Sequence, residues 1–332
     1  MLRDWDYHVI HFLYFPFNYP YVWLPVAFWL GAMLGSFLNV CVGRLPRGRS
    51  VLWPRSHCLQ CYQPVRGWDN IPIFSFCWLG GRCRSCGARF SAAYLGVELL
   101  LAALFAGLWL TEVAWNVRHV GHAGRGYLAR AGGSDLALVW LNYATFLFFA
   151  LGIALMARLG SSVPTSFVMP GFLLGFFFAG LGPWPWPASW TPQALAQTPG
   201  HFAIAPQGMQ LAPLWNPPPA WLIPDQPCFG LATAATGALM IGLGMMMADL
   251  VSRALRRRRA FHPQDILVGT LVGAYLGWQA GLVASLMAVF FWGVTRLMGR
   301  LDQPFLFWLA SCSIGVLLLW SFVLVLGQQL GQ

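Results

Sequence analysis

The sequence predicts an all-α polytopic membrane protein with about eight transmembrane helices and a small four-cysteine module between helices 1 and 2. Of the 332 residues, 58% are hydrophobic and only 9% are charged. A soluble protein of this length needs far more charge to cover its surface. Apolar runs long enough to cross a bilayer recur along the chain. Two closely spaced pairs of cysteines lie between the first two of these runs.

The predicted spans follow from the lengths of the apolar runs, which are 22–43, 92–115, 136–158, 165–182, 229–252 and 304–327. A longer apolar stretch, 265–298, is interrupted at Gly277-Trp278-Gln279. We interpret this stretch as two helices joined by a tight turn, which makes eight spans. The aromatic-rich residues 1–21 are expected to lie at a membrane interface, and they lack the basic region and cleavage site of a removable signal peptide.

Arginine predicts the orientation of these spans. The net charge is +10, and the chain contains no lysine. Its arginines cluster in loops 44–90 and 253–263 and near Arg296 and Arg300. With the N-terminus outside, all three clusters fall on the cytoplasmic side, as the positive-inside rule requires. Loop 116–135 is the exception, because it carries three arginines and falls on the outer side. This distribution explains the basic charge without nucleic acid, and we expect membrane lipids as partners.

Four cysteines have the spacing of a metal site. Cys58-x-x-Cys61 and Cys83-x-x-Cys86 are separated by 21 residues. Each pair can direct two sulfurs to one point, so that four thiolates hold a structural Zn²⁺ with no open position for a substrate. Two disulfides are the alternative, which a reducing compartment disfavours. Cys41, Cys77, Cys228 and Cys312 are expected to be small buried hydrophobic residues.

The predicted organisation has three parts. Residues 1–43 hold the N-terminal aromatic segment and the first helix, 44–91 the cytoplasmic zinc module, and 92–332 the remaining membrane domain. Within that domain, loop 183–228 contains 12 prolines and five tryptophans. Because proline excludes regular helix and central strand, we expect an irregular cap on the outer bilayer surface.

The sequence around the cysteines resembles the bacterial type IV prepilin leader peptidase/N-methyltransferase family. The resemblance rests on the two CxxC pairs and on four further motifs, Gly35-Ser36-Phe37-Leu38-Asn39-Val40, Arg44-Leu45-Pro46, Trp68-Asp69-Asn70-Ile71-Pro72 and Val97-Glu98-Leu99-Leu100. It implies an eight-span protein of the bacterial cytoplasmic (inner) membrane. Such proteins cleave the leaders of prepilins and pseudopilins and methylate the new N-terminus with S-adenosylmethionine. The implied partner is therefore an apolar prepilin or pseudopilin N-terminal helix.

The same resemblance implies two intramembrane catalytic aspartates. One carboxylate activates water while its protonated partner polarises the scissile carbonyl. Asp265, in His262-Pro263-Gln264-Asp265, matches the second position, although the glycines and lysine of the family motif are absent. Ala157 stands at the first position, and no acid occurs between Asp135 and Asp225. An acid just after Pro263 is also an ordinary feature of a helix start.

Several functions remain open at this stage. The chain could be a pseudopeptidase that serves as a scaffold of a pilus or type II secretion system. It could be an active peptidase that uses Asp265 with Asp249 as a displaced partner, although Arg253 could simply pair with Asp249. It could also be a methyltransferase only, for which no glycine-rich nucleotide motif is present. A transporter would show internal repeats or paired polar residues in mid-membrane, and we find neither.

Overall fold

The computed structural model describes residues 20–115, 134–181, 227–256, 259–298 and 304–330. The predicted interfacial segment, apart from its last two residues, and the proline-rich loop, apart from its last two, lie outside these residues, as does most of loop 116–135. Within the described residues, the α-helices are α1 (Leu24–Arg44), α2 (Phe74–Trp78), α3 (Ala92–Leu108), α4 (Ser134–Arg158), α5 (Thr165–Leu181), α6 (Pro227–Arg256), α7 (Pro263–Leu297) and α8 (Phe305–Leu330).

Local sequence signals account for several helix ends. Ser91 caps α3 by accepting a hydrogen bond from the backbone N–H of Ala93, which is the role that serine favours at a helix start. The end of α4 is followed by Gly160 in the left-handed conformation, a common way to stop a helix. Proline near the start of α1 and of α7 fits the first turn, where its missing N–H has no helical partner.

The predicted break within the 265–298 stretch is confirmed at Gly277. This residue has φ 75° and ψ 171° inside α7, a conformation that glycine adopts without the steric penalty of a side chain. A Cβ built on Gly281 would lie 3.4 Å from the Cα of Gly273. In a straight helix these residues would be about 12 Å apart. The chain therefore reverses at Gly277, and α7 consists of two antiparallel arms.

The helices pack into a bundle, in which close glycine contacts show that α1 runs antiparallel to α3 and that α6 runs antiparallel to the first arm of α7. α6 packs on both α7 and α5, α8 packs on α7 and α4, and α1 packs on α3. Gly237 of α6 and Gly273 of α7 leave no room for a Cβ on either residue, so these two helices touch through their backbones. The core is aromatic and aliphatic, and Tyr143, Phe146 and Tyr275 are fully buried within it.

The predicted membrane architecture is confirmed in its main features. In the described residues, five helical stretches are long and apolar enough to cross a membrane by length and composition. They are Pro20–Arg47, Ala92–Ala114, Leu136–Arg158, Gly230–Leu255 and Ala280–Leu297. Thr165–Leu181 and Phe305–Leu319 are shorter apolar helices. The first arm of α7 completes the set of eight hydrophobic helical segments, and the cysteine module lies between the first two of them.

Candidate functional site

The four predicted ligands Cys58, Cys61, Cys83 and Cys86 form one cluster. All four sulfurs lie within 4.8 Å of one another, with 3.8 Å from Cys58 to Cys86 and 3.9 Å from Cys61 to Cys83. Four sulfurs at the usual zinc–sulfur distance form a tetrahedron with edges of about 3.8 Å. The donor set and the spacing therefore fit a zinc ion, and the four thiols are free of disulfides.

The two CxxC turns are copies of one another at an offset of 25 residues, from Cys58 to Cys83 and from Cys61 to Cys86. In the first copy, Cys58 N–H donates to Gln63 and Tyr62 N–H donates to Cys58. In the second copy, the same bonds join Cys83 to Ala88 and Gly87 to Cys83. The residue after each second cysteine is left-handed, Tyr62 at φ 57° and Gly87 at φ 72°. The module thus holds its four sulfurs with two equivalent backbone turns.

Backbone donors favour the thiolate form of the first cysteine in each turn. The N–H groups of Cys61 and Gln60 lower the pKa of Cys58 to about 6. The N–H groups of Cys86 and Ser85 lower the pKa of Cys83 in the same way. Ala88 N–H also lowers the pKa of Cys86, but burial and the neighbouring thiols outweigh it and raise that pKa to about 12. Because a metal binds the thiolate rather than the thiol, the turns prepare the first cysteines for a cation.

Two acidic side chains tie the module together and to the bundle. Asp69 accepts hydrogen bonds from Arg84 through both oxygens, at 2.6 to 3.1 Å. The Arg84 guanidinium holds the pKa of Asp69 below its usual range. Buried Glu98 of α3 accepts a 2.8 Å hydrogen bond from the backbone N–H of Ile73. The motif resemblance includes both acids but gave no indication of these partners.

The expectation for the other cysteines is only partly met. Cys41 and Cys312 are buried, as predicted. Cys77 is exposed, so its predicted burial is wrong. It lies on the five-residue helix α2, which projects from the module and leaves most of its side chains uncovered. The side chain of Cys228 lies outside the described residues.

Ala157 ends the buried face of α4. Its side chain is 2% exposed, and its carbonyl accepts the N–H of Gly160 in the turn that closes the helix. The ring of Phe146 on the same helix contacts the ring of Tyr275 on α7, with centroids 5.3 Å apart. Ala157 lies about 16 Å along α4 from this contact, and Asp265 lies about 15 Å along α7 from it.

Asp265 lies in the first turn of α7, as predicted from Pro263. Its carboxylate accepts a 2.7 Å hydrogen bond from the backbone N–H of His262, the N-cap residue. The side chain is 6% exposed. A carboxylate in this position satisfies an otherwise unpaired N–H at the start of a helix. Asp265 thus has a structural role that is independent of any catalytic one.

Both oxygens of Asp249 have partners. Oδ2 pairs with Arg253, one turn later on α6. Oδ1 accepts the backbone N–H groups of Ala260 at 2.9 Å and Phe261 at 3.2 Å. The sequence anticipated the pairing with Arg253 but not the backbone bonds, because those partners follow a turn whose path the sequence does not define. Asp249 is 1% exposed, and it accepts the N–H of the residue that directly precedes His262, the partner of Asp265.

Asp249 and Asp265 together bind three consecutive backbone N–H groups, those of Ala260, Phe261 and His262. The turn between α6 and α7 is therefore fixed to both helices by buried acids. The ring of Phe261 also packs on Phe305 at the start of α8, with centroids 5.0 Å apart. The two acids lie at one end of the bundle and bind the same turn.

The family comparison agrees with this geometry. Residues 29–111 match the family model of the bacterial peptidase A24 N-terminal domain. This part of the chain is therefore similar to that family. The match covers α1 from residue 29 onward, the four-cysteine module, all of α3 and the first half of its π-helical extension to Ala114. This is the region where the sequence motifs carried the resemblance.

Curated relatives extend the comparison. The chain is 40% identical over 97 residues to the prepilin leader peptidase/N-methyltransferase of Klebsiella pneumoniae, over 27% of this chain and 42% of the relative. The Myxococcus xanthus protein of the same name is 45% identical over 78 residues, over 24% and 23%. The Pseudomonas putida protein is 31% identical over 187 residues, over 50% and 57%. The chain thus matches less than two thirds of each relative's length. No solved structure matches it.

Proposed function

We propose that this peptidase A24 family protein is a pseudopeptidase that binds the apolar N-terminal helices of prepilins or pseudopilins without removing their leaders. The observation that carries the proposal is Ala157, a buried methyl group at the position that the family resemblance assigns to the first catalytic aspartate. Leader cleavage by two aspartates needs a base and an acid in the same site. A single Asp265 can supply one of these roles at a time.

The hydrogen-bond partners of Asp249 support the same proposal. Asp249 gives both oxygens to Arg253 and to two backbone N–H groups. A carboxylate with these partners is stabilised as the anion and is poorly suited to share a proton with a neighbour.

A displaced-dyad peptidase is the second candidate, because Asp249 and Asp265 accept hydrogen bonds from adjacent residues of one turn, Phe261 and His262. In that mechanism Arg253 would have to release Asp249 when the substrate binds. A protein that only transfers methyl groups would need a site for S-adenosylmethionine, and this reading rests on the names of the relatives. Assembly with a pilus or type II secretion system is likewise a proposal that rests on the family resemblance.

The zinc module has a structural role in this proposal. Cys58, Cys61, Cys83 and Cys86 would hold the ion, which when bound supplies four metal–sulfur bonds that join the two turns. We place the protein in the bacterial inner membrane, with the module on the cytoplasmic side. The arginines flanking α1, α6 and the second arm of α7 support that orientation through the positive-inside rule. The division at residues 43 and 91 remains a prediction.

Restoring the missing carboxylate tests the proposed loss of function. Purified protein in nanodiscs would be incubated with prepilins from the same genome, with an active relative as positive control. We expect no cleavage by the wild type and measurable cleavage by Ala157→Asp, which a second substitution, Asp265→Asn, abolishes. Ala154→Asp, one turn earlier on α4 and also buried, is the matched control and should remain inactive. Wild-type cleavage that is lost in Asp265→Ala would overturn the proposal.

A further inference from the structure

The contact between α1 and α3 provides a scale of depth along the first membrane span. A Cβ on Gly31 would lie 2.7 Å from the Cα of Ala102, and one on Gly35 would lie 2.7 Å from the Cα of Glu98. The two helices therefore run antiparallel in close contact. With 1.5 Å per residue, Gly35 lies about 13 Å and Trp29 about 22 Å from Arg44, the last residue of α1.

Residues 71–78 of the cysteine module reach far along this scale. The backbone N–H of Ile73 donates to Glu98, which is level with Gly35. The ring of Phe74 meets the ring of Trp29 edge-on, with centroids 5.6 Å apart. The hydrocarbon core of a bilayer is about 30 Å thick. The contact with Trp29, about 22 Å along α1 from Arg44, therefore places the segment at the depth of the hydrocarbon.

The side chains of this segment suit hydrocarbon rather than water. Its sequence is Ile-Pro-Ile-Phe-Ser-Phe-Cys-Trp, without a charged residue. Phe74 is 66% exposed and Trp78 is 83% exposed. Removing apolar surface from water is worth about 25 cal/mol per Å². The protein leaves these aromatic rings exposed beside two membrane-spanning helices. Their exposure becomes favourable when lipid acyl chains, rather than water, surround the rings.

Four backbone N–H groups of the segment have internal partners, as polar groups in hydrocarbon require. Pro72 has no N–H. The N–H of Phe74 donates to Pro72, that of Ser75 to Ile71, and that of Cys77 to Ile73. The remaining turn residue, Ile73, has φ 64° and ψ −55°, a positive-φ γ-turn geometry that is strained for a β-branched side chain. This conformation presents its N–H to the Glu98 carboxylate.

We propose that residues 71–78 form a re-entrant segment that inserts into the hydrocarbon of the lipid bilayer beside α1 and α3, with the Glu98 carboxylate as its anchor. Glu98 is an acid in an apolar span, and such residues are kept where they have a specific partner. The Ile73 N–H is that partner. The module is then attached to the membrane by this inserted segment as well as by the two helices that flank it.

Fluorescence quenching in liposomes tests the insertion. Phe74→Cys would be labelled with a nitrobenzoxadiazole dye in a background without Cys41, Cys77, Cys228 and Cys312, and with zinc added to protect the four clustered thiols. We expect lipids with a doxyl group on the acyl chain to quench this label, and aqueous iodide to leave it bright. The matched control is Leu59→Cys, which is exposed on the first cysteine turn. Its label should be quenched by iodide and not by the doxyl lipids. Iodide quenching at position 74 equal to that at position 59 would overturn the insertion.

Two substitutions of Glu98 test the anchor with the label kept at position 74. Glu98→Gln retains an oxygen acceptor for the Ile73 N–H and should keep most of the lipid quenching. Glu98→Leu removes the acceptor and should shift the label toward iodide, by at least a factor of two in the ratio of the two quenching constants. The metal content of each variant reports whether the module remains folded. Equal quenching in Glu98→Leu and the parent, with equal metal content, would refute the role of Glu98.

Discussion

Removal of a single sulfur should eliminate the metal site. The 3.8 and 3.9 Å sulfur distances match the edge of about 3.8 Å that a tetrahedron of thiolates has around zinc at the usual bond length. Structural zinc contributes about 10–16 kcal/mol in isolated zinc-finger peptides at neutral pH. Loss of a residue that only hydrogen-bonds to a metal ligand weakens binding roughly 10–100-fold. Loss of a ligand itself, in Cys86→Ala, should weaken it more.

The assay compares Cys86→Ala with Cys77→Ala. Cys77 lies in the same module and is exposed and free, so its removal controls for the loss of a thiol. Zinc content by mass spectrometry and competition with a chromogenic chelator give the stoichiometry and affinity. We expect one zinc per chain in the wild type and in Cys77→Ala, and much weaker binding in Cys86→Ala. Equal zinc loss in both variants, or two disulfides found by thiol titration of the native protein, would refute the tetrathiolate site.

Three further substitutions test individual contacts through thermal unfolding in detergent. Gly87→Ala forces a side chain into the left-handed conformation and should destabilise the module by about 1–2 kcal/mol, and an unchanged midpoint would argue against the turn. Asp249→Ala leaves two buried N–H groups and Arg253 without their acceptor, and should cost about 1–3 kcal/mol. A neutral result would contradict its role in fixing the turn before α7. Tyr275→Phe removes a 2.7 Å hydrogen bond to the carbonyl of Gly171 and should cost about 0.5–1.5 kcal/mol. No measurable change would show that this bond is not needed for α5 to pack on α7.

Local patterns allowed much of the architecture to be predicted. Apolar run lengths predicted the hydrophobic helices, Gly277 the reversal within α7, and the CxxC spacing the cluster of sulfurs. These features depend on residues close in sequence, where spacing and backbone preference act directly. Arg253 follows Asp249 by four residues, so their pairing could also be anticipated from helix geometry.

Other contacts could not be predicted, because they join residues whose distance depends on the folded path. Tyr62 adopts φ 57° without being glycine, so the equivalence of the two cysteine turns appears only in their backbone bonds. Glu98 and Ile73 are 25 residues apart, and nothing in either motif specifies the bond. The presence of an acid in an apolar run was the available signal for Glu98. The exposure of Cys77 was missed because its neighbours are apolar, a pattern that normally indicates burial.

Single-turnover mass spectrometry tests the central claim most directly. The wild-type protein, in excess in nanodiscs, would be mixed with a prepilin from the same genome, and the mass of the intact substrate would be followed over time. The proposed pseudopeptidase predicts that the protein binds the prepilin and leaves its mass unchanged, while an active relative removes the leader under the same conditions. Leader removal by the wild type that Asp265→Ala abolishes would contradict the account and make Asp249 the first candidate for the second acid.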